Sequence, residues 1–263
     1  MFYGWTKGLI SSQSQSEHRK LADSPVHSTA PHLGLVIASL IIAVWGMSLK
    51  ELLVIDLSLI RLPILVLFIG WQTFLYTGLF VTAHDAMHGA ISPGHSKIDT
   101  YFGTLALLLY GLLPYQKLCR IHSLHHCYPA SLLDPDFHGD KHRHVVLWYL
   151  GFIYSHGSAW SSCGLAVLYL IAHGVFQIEH MNLILFWISP SLLSSFQLFY
   201  FGTFQPHREP PEGYTNTFRT KTIARPFLWS LLSCYHFGYH YEHHRYPDAP
   251  WWLLPSLRPR CSQ

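Results

Sequence analysis

The run LPILVLFIGWQTFLYTGLFVTA, residues 62–83, passes directly into HDAMH, residues 84–88. The run is uncharged over about 22 residues, which is long enough for a helix to cross the hydrocarbon core of a bilayer. His84 and His88 are four residues apart and share one face of such a helix. The stretch therefore predicts a membrane helix that carries two imidazoles at its end.

The overall composition also indicates a membrane protein. Half of the 263 residues are hydrophobic and only 12% are charged, whereas soluble domains carry about 25% charged residues. The five cysteines contain no CxxC pair, which argues against a disulfide framework and against a cysteine zinc site. Histidine occurs 20 times. Because imidazole is a common metal ligand, this excess suggests metal binding.

The apolar segments predict an all-α, integral membrane protein with about four transmembrane helices. Leu33–Leu49 and residues 62–83 form one predicted hairpin. Cys163–Phe176 and Met181–Phe204 form a second hairpin around the polar turn Gln177–His180. The first helix of that second pair could begin as early as residue 146, because the preceding residues are also largely apolar.

Two further apolar segments are too short to span a bilayer. Tyr101–Tyr115 lies between histidine motifs that must meet on one side of the membrane, so we expect it to be re-entrant or interfacial. Phe227–Tyr239 is expected to pack against the spans. Residues 1–30 are interpreted as a flexible tail and residues 31–257 as a single domain.

The distribution of basic residues predicts the orientation of the chain. In the two-hairpin arrangement, only Lys50 and Arg61 of the 17 Lys and Arg residues lie on the far side. The others flank the histidine-rich side, which the positive-inside rule places in the cytoplasm. This basic surface needs no nucleic-acid partner, and the sequence contains no nucleic-acid-binding motif.

Three histidine motifs, HDAMH, HSLHH and HYEHH, begin at residues 84, 122 and 240. Positions i, i+3 and i+4 share one helical face, so three such helices can direct eight imidazoles at a common centre. A structural zinc ion takes four ligands and a catalytic one takes three plus water, so eight imidazoles indicate two metal ions with open positions. Ligand type alone leaves iron, copper, nickel and zinc open. The predicted ligands in the motifs are His84, His88, His122, His125, His126, His240, His243 and His244.

Residues outside the motifs can add to this centre. His207 follows the last span on the histidine-rich side, and His236 would share a helical face with His240. His138 is a further candidate. Metal-bound imidazoles usually donate their second N–H to an oxygen, and the candidate carboxylates for this role are Asp85, Asp134, Asp136 and Glu242. The other histidines are expected to be structural or exposed: His18, His27, His32, His95, His142, His144, His156, His173 and His180.

These motifs resemble the membrane-bound fatty acid desaturase and hydroxylase superfamily, in which three histidine boxes hold two iron ions. Within that superfamily, four segments of this chain resemble the bacterial-type beta-carotene 4-ketolases: residues 74–89, 134–138, 198–207 and 234–244. The resemblance implies a diiron centre in a cytoplasmic cap. It also implies an additional ligand between the second and third boxes, for which His207 is the best-placed residue.

The same resemblance implies an oxygenase that converts the C4 methylene of a beta-ionone ring to a ketone, taking beta-carotene to echinenone or canthaxanthin. Two hydroxylations at one carbon would give a gem-diol that loses water. The reaction would need O2, two iron ions and an electron donor such as ferredoxin. The carotenoid would reach the centre from the lipid bilayer, and we take Asp85, Asp134 and Asp136 as the candidate catalytic carboxylates.

Other functions are compatible with parts of this pattern. A carotenoid ring hydroxylase or a fatty acid desaturase of the same superfamily would carry the same motifs. A zinc or nickel transporter would place its ionisable residues near the middle of the membrane. The histidines here instead follow the ends of predicted spans, on one side.

Overall fold

The computed structural model describes residues 32–139 and 143–258. In these ranges the chain forms helices joined by turns and loops, with no strand, as the composition predicts. The predicted tail at residues 1–30 and His142 lie outside the described residues. The architecture is therefore all-α throughout the described part of the chain.

Helices α1 (Leu33–Val54) and α2 (Leu62–Met87) form the first pair. A single 3-10 turn joins them, and the Asp56 side chain accepts a hydrogen bond of 2.9 Å from the Ser58 N–H there. Helix α1 continues past the predicted end at Leu49 and includes Lys50 and Glu51, which are exposed and form an ion pair at 3.4 Å. The predicted hairpin is therefore present.

Helices α3 (Ser96–Gly111) and α4 (Tyr115–Cys127) lie between the first two histidine motifs. Helix α3 has 16 residues, or about 24 Å at 1.5 Å per residue, which is shorter than a bilayer core. It ends at Leu112 in a left-handed conformation, with φ of 54°, and α4 then returns toward the end of α2. The chain thus turns back between the motifs, while the place of this turn in the bilayer stays a prediction.

The next three helices are α5 (Val145–His156), α6 (Ala159–Gly174) and α7, which runs continuously from His180 to His207. Gly157 and Ser158 separate α5 from α6, and Ser158 Oγ accepts a hydrogen bond of 3.0 Å from the backbone of α6. The third predicted span is therefore a 16-residue helix. Within the described ranges, three helices, α1, α2 and α7, are long and apolar enough to cross a membrane.

The C-terminal part contains short helices α8 (Phe227–Cys234), α9 (His240–Arg245) and α10 (Leu254–Leu257). Tyr235 and His236 between α8 and α9 have positive φ values of 45° and 64°, which end the first helix. The prediction that His236 shares a helical face with His240 is therefore wrong. The buried His236 ring instead packs 4.7 Å from the Phe227 ring.

Helix α2 lies at the centre of the described fold and packs against α1, α3 and α7. Tyr76 and Leu79 on this helix are completely buried. The start of α7 contacts the first hairpin, because the Asn182 side chain donates hydrogen bonds to the backbone oxygens of Leu52 and Ile55 at 3.1 and 2.9 Å. Central α2 thereby carries the first histidine motif into the interior of the molecule.

Candidate metal centre

The ends of α2, α4 and α7 meet α9 at one end of the helical bundle. All nine predicted ligand histidines lie there, in two adjacent clusters of ring nitrogens. The first cluster consists of His84, His88, His122, His126 and His243, and the second consists of His125, His207, His240 and His244.

Short separations between Nε2 atoms connect the first cluster. His88 lies 2.7 Å from His122, and His84 lies 3.2 Å from His243. His126 lies 3.1 Å from His122 and 3.0 Å from His243. Five ring nitrogens from α2, α4 and α9 therefore converge on one point.

The second cluster is connected in the same way. His244 Nε2 lies 3.1 Å from the Nε2 atoms of both His125 and His240. The His207 ring centre lies 4.7 Å from that of His125 and 4.9 Å from that of His240. All four histidines are at least 95% buried. This cluster thus uses α4, α9 and the last residue of α7.

Each HxxHH motif divides its histidines between the two clusters. In α4, His122 and His126 are four residues apart and lie in the first cluster, while His125 lies in the second. In α9, His240 and His244 lie in the second cluster, while His243 lies in the first. The His126 and His244 rings stack at 4.3 Å between the clusters. Positions i and i+4 of one motif therefore share a cluster, and position i+3 turns toward the other.

Asp134 fixes the orientation of His125. The Nδ1–H of His125 faces both carboxylate oxygens of Asp134, at 3.0 and 3.1 Å. The backbone N–H groups of Ala130 and Asp136 donate to the same carboxylate at 2.8 and 2.9 Å. Because Nδ1 is engaged in this way, the imidazole directs Nε2 into the second cluster.

Two other ring nitrogens have oxygen partners of the same kind. Asp85 Oδ1 lies 3.4 Å from His84 Nδ1, and Asp85 Oδ2 accepts a hydrogen bond of 3.1 Å from the Trp251 backbone. His207 Nδ1 donates to the backbone oxygen of Arg219 at 2.9 Å. Asp85 thus connects the site to the C-terminal segment, and Arg219 supplies a partner that the sequence did not indicate.

The other two predicted carboxylates have different surroundings. Asp136 Oδ2 lies 3.8 Å from His125 Nδ1, beyond hydrogen-bond distance. Glu242 is buried and accepts a hydrogen bond of 2.5 Å from the Thr222 hydroxyl. His138, a further candidate, packs against Trp148 with ring centres 4.4 Å apart and belongs to neither cluster.

The protonation of these rings fits the binding of cations. Burial lowers the pKa of His88 to about 4 and places the pKa values of His122 and His243 well below the usual range. These imidazoles are neutral at neutral pH and offer lone pairs. In the second cluster, burial lowers the pKa of His125, but Asp134 and Asp136 outweigh burial and raise it to about 9. The carboxylates therefore stabilise positive charge there.

The donor geometry gives a direct test of whether metal ions fit. His207 Nδ1 faces a carbonyl oxygen, so Nδ1 carries the proton and Nε2 carries a lone pair. That Nε2 is buried and has no hydrogen-bond partner within residues 32–139 and 143–258. Buried Nε2 lone pairs of neighbouring histidines repel one another unless a cation lies between them. The residues present therefore fit two imidazole-bound metal ions.

An apolar cavity adjoins both clusters. His84, His122, His125 and His240 form one wall of this partly open cavity, which has a volume of about 50 Å³. The other walls are mainly aromatic and aliphatic side chains: Phe80, Met87, Leu118, Phe152, Leu198 and Phe237. An apolar lining therefore borders the edge of both clusters.

His156 also lines this cavity, although its position in the sequence predicts a structural or exposed residue. Its side chain is 12% exposed and its Nε2 lies 3.3 Å from Asp136 Oδ1. No spacing pattern connects residue 156 to the three motifs. The approach of α5 to the site is a tertiary contact, so the sequence carries no local signal for it.

Comparison with known proteins places the chain in a family. A Paracoccus beta-carotene ketolase is 36% identical over 228 residues, which cover 85% of this chain and 91% of that protein. The chain belongs to the beta-carotene ketolase family. A family model described as fatty acid desaturase matches residues 156–263, and so includes the third histidine motif.

Algal members of the ketolase family are longer than this chain. A beta-carotene ketolase of Haematococcus lacustris is 40% identical over 191 residues, covering 70% of this chain and 59% of that protein. A zeaxanthin 4-ketolase of Chlamydomonas reinhardtii is 37% identical over 248 residues, covering 86% of this chain and 53% of that protein. The chain therefore spans between half and three fifths of these algal ketolases.

Proposed function

We propose that this ketolase-family chain is a membrane-bound diiron oxygenase that converts the C4 methylene of beta-ionone rings to a ketone. The observation that carries the proposal is the pair of imidazole clusters beside an apolar cavity, in a chain 36% identical to a Paracoccus beta-carotene ketolase. The substrates are beta-carotene and related carotenoids. These dissolve in the bilayer, which suits an apolar cavity among hydrophobic helices.

The nine histidines are the proposed ligands of two iron ions. Iron held by these imidazoles would supply the activation of O2. Asp134 and Asp85 orient their histidines, while the Arg219 carbonyl orients His207. The apolar lining of the cavity would contact the substrate ring beside the clusters. These residues thus act by holding ligands and substrate in place.

The reaction consists of two hydroxylations at one carbon. Each uses one O2, two electrons and two protons, places one oxygen atom on the carbon and releases the other as water. The resulting gem-diol loses water to give the ketone. The electrons come from a protein reductant such as ferredoxin, which would reach the histidine end of the bundle from the cytoplasm. The clustering of Lys and Arg on that side supports this orientation.

Pigment analysis tests the proposed reaction. Bacterial cells that accumulate beta-carotene are expected to form a monoketone or diketone when they express this chain. Chromatography with mass detection identifies the product, because a ketone gains oxygen and loses two hydrogens per ring. Products that only gain oxygen indicate a ring hydroxylase, and products that only lose hydrogens indicate a desaturase. Unchanged carotene contradicts all three.

Metal analysis tests the diiron centre separately. Protein purified from iron-replete cells is expected to contain about two irons per chain, because nine imidazoles exceed the four ligands that a single closed site uses. Elemental analysis measures the ratio. Stoichiometric zinc with no iron, in protein that is active in the pigment assay, contradicts the diiron assignment.

A further inference from the structure

The carboxylate of Asp136 lies in the wall of the cavity. The side chain is 91% buried and lines the cavity beside the two clusters. Its Oδ1 accepts no well-aligned hydrogen bond from the described parts of the chain, although His156 Nε2 lies 3.3 Å from it. A buried acceptor without a well-aligned donor is costly, so this oxygen has capacity to accept a hydrogen bond from a bound molecule.

The backbone around Asp136 is firmly held. Its N–H donates to Asp134 at 2.9 Å, and its carbonyl oxygen accepts a hydrogen bond of 2.7 Å from the Trp148 indole. The carboxylate is therefore fixed beside the second cluster. Because Oδ2 is 3.8 Å from His125 Nδ1, Asp136 does not hydrogen-bond the ring that Asp134 already holds. The Asp136 carboxylate is therefore better placed to accept a hydrogen bond from a molecule in the cavity than from His125.

His156 stands opposite this oxygen. Its Nδ1 faces the backbone oxygen of Phe152 at 2.9 Å, so Nδ1 carries a proton and Nε2 is directed toward Asp136 Oδ1 at 3.3 Å. The Lys117 ammonium donates to the carbonyl oxygens of His156 and Gly157, which fixes the end of α5. The imidazole and the carboxylate thus form a pre-positioned polar pair in the cavity wall.

The chemistry of this pair selects among possible ligands. The neighbouring walls are apolar, with Phe80, Phe152 and Phe237 among them. A ring methylene makes no hydrogen bond with the pair. A hydroxyl group both donates and accepts hydrogen bonds. It can therefore donate to Asp136 Oδ1, and it can either donate to or accept from His156 Nε2. Two hydrogen bonds to it would satisfy Asp136 Oδ1 and His156 Nε2 together.

We infer that Asp136 and His156 bind the hydroxyl group that the first oxidation places on the ring carbon, and retain the alcohol for the second oxidation. This inference rests on the proposed function, since it names a substrate-binding contact of the same reaction. Hydrogen bonds to charged groups are strong enough to favour the alcohol over the hydrocarbon by roughly tenfold or more. Retention of the alcohol would give the ketone as the main product.

The experiment compares binding of the alcohol and of the hydrocarbon. Purified protein in lipid nanodiscs is titrated with beta-carotene and with 4-hydroxy-beta-carotene, and Kd is read from quenching of protein fluorescence. The wild-type chain is expected to bind the alcohol at least tenfold more tightly. His156→Phe keeps an aromatic ring and removes both nitrogens, and Asp136→Leu replaces the carboxylate with a larger, branched apolar group. Both are expected to lose most of the preference for the alcohol.

The ratio of 4-hydroxy carotenoid to ketone in carotene-accumulating cells gives a second test. The variants are expected to release 4-hydroxy carotenoid at a tenfold higher ratio to ketone than the wild type. His144→Phe, an exposed histidine at the other end of α5, is the matched control and should retain the wild-type ratio. An equal preference for the alcohol in wild type and both variants overturns the inference. A wild type that prefers the alcohol but forms no ketone contradicts only the proposed function.

Discussion

At the scale of single residues, His207 connects the end of α7 to the second cluster. Its Nε2 is buried without a hydrogen-bond partner in the described ranges, and its Nδ1 is held by the Arg219 carbonyl. His207→Ala is therefore expected to lower iron content by one metal per chain and to abolish ketone formation. Iron analysis and pigment analysis of the same preparations measure both effects.

The control for His207→Ala is His144→Ala. His144 is exposed at the start of α5 and contacts neither cluster. It should keep wild-type iron content and activity. Normal iron and normal ketone formation in His207→Ala would show that the other eight histidines suffice as ligands.

Asp134 gives a second prediction at this scale. Asp134→Asn keeps the size of the side chain but removes the negative charge beside His125 Nδ1. Loss of such an orienting partner typically lowers metal affinity by about 10- to 100-fold. Competition with an iron chelator measures the change. Asp99→Asn is the matched control, because Asp99 is also buried and accepts from the Ile91 and Ser92 backbone but belongs to neither cluster.

Residue spacing predicted much of the candidate site, and the reason is local geometry. The i, i+3 and i+4 positions of an HxxHH motif project from one side of a helix, so spacing alone identifies them. Spacing does not determine which cluster each ring joins, because this depends on how α4 and α9 face each other. The same limit applies to His156, which reaches the cavity through the packing of α5.

At the scale of elements, the contact between α2 and the segment after α8 positions α9. A Cβ on Gly78 would lie 2.5 Å from Tyr235 Oη. The Tyr235 ring cannot easily move, since it stacks on Phe74 at 4.5 Å and contacts Trp251 at 5.0 Å. Gly78→Ala is therefore expected to destabilise the protein by about 1–3 kcal/mol through overpacking and to lower its iron content. Thermal unfolding and iron analysis measure these changes.

Gly70 on the same helix provides the matched control. No atom of the described residues lies within 4 Å of a Cβ built there. Gly70→Ala should therefore retain iron and gain up to about 1 kcal/mol from helix propensity. Equal stability losses at the two positions would contradict the proposed role of the Tyr235 contact.

The sequence predicts the long membrane helices but neither the short α6 nor the turn after α8. Long uncharged runs indicated α1, α2 and α7, because length and hydropathy are read directly from the chain. The break at Gly157–Ser158 leaves α6 shorter than a span, and hydropathy alone did not reveal it. The turn at Tyr235 was missed because tertiary packing, with Phe74 on one side and Trp251 on another, stabilises its left-handed conformation.

At the scale of the whole molecule, the length of α7 predicts which loops lie on the same side of the membrane. Its 28 residues extend roughly 42 Å at 1.5 Å per residue, so Glu179 and Glu209 are expected on opposite sides. Asp56 should share the side of Glu179, because Asn182 near the start of α7 binds the backbone at Leu52 and Ile55.

Single-cysteine labelling in sealed vesicles tests this arrangement. The five native cysteines are first replaced by serine, and one cysteine is introduced at a time. Asp56→Cys and Glu179→Cys should react with a membrane-impermeant thiol reagent from one side, and Glu209→Cys only from the other. Labelling of all three from the same side excludes α7 as a membrane span.

The division of each HxxHH motif between the clusters has a consequence for assembly. Because α4 and α9 both contribute to both clusters, occupancy of either position restrains the helices that form the other. The first ion bound is expected to preorganise the second position, so loading is expected to be cooperative. Addition of one iron equivalent to metal-free protein should give mostly empty and doubly loaded molecules, which native mass spectrometry resolves. A dominant singly loaded species would show that the two positions fill independently.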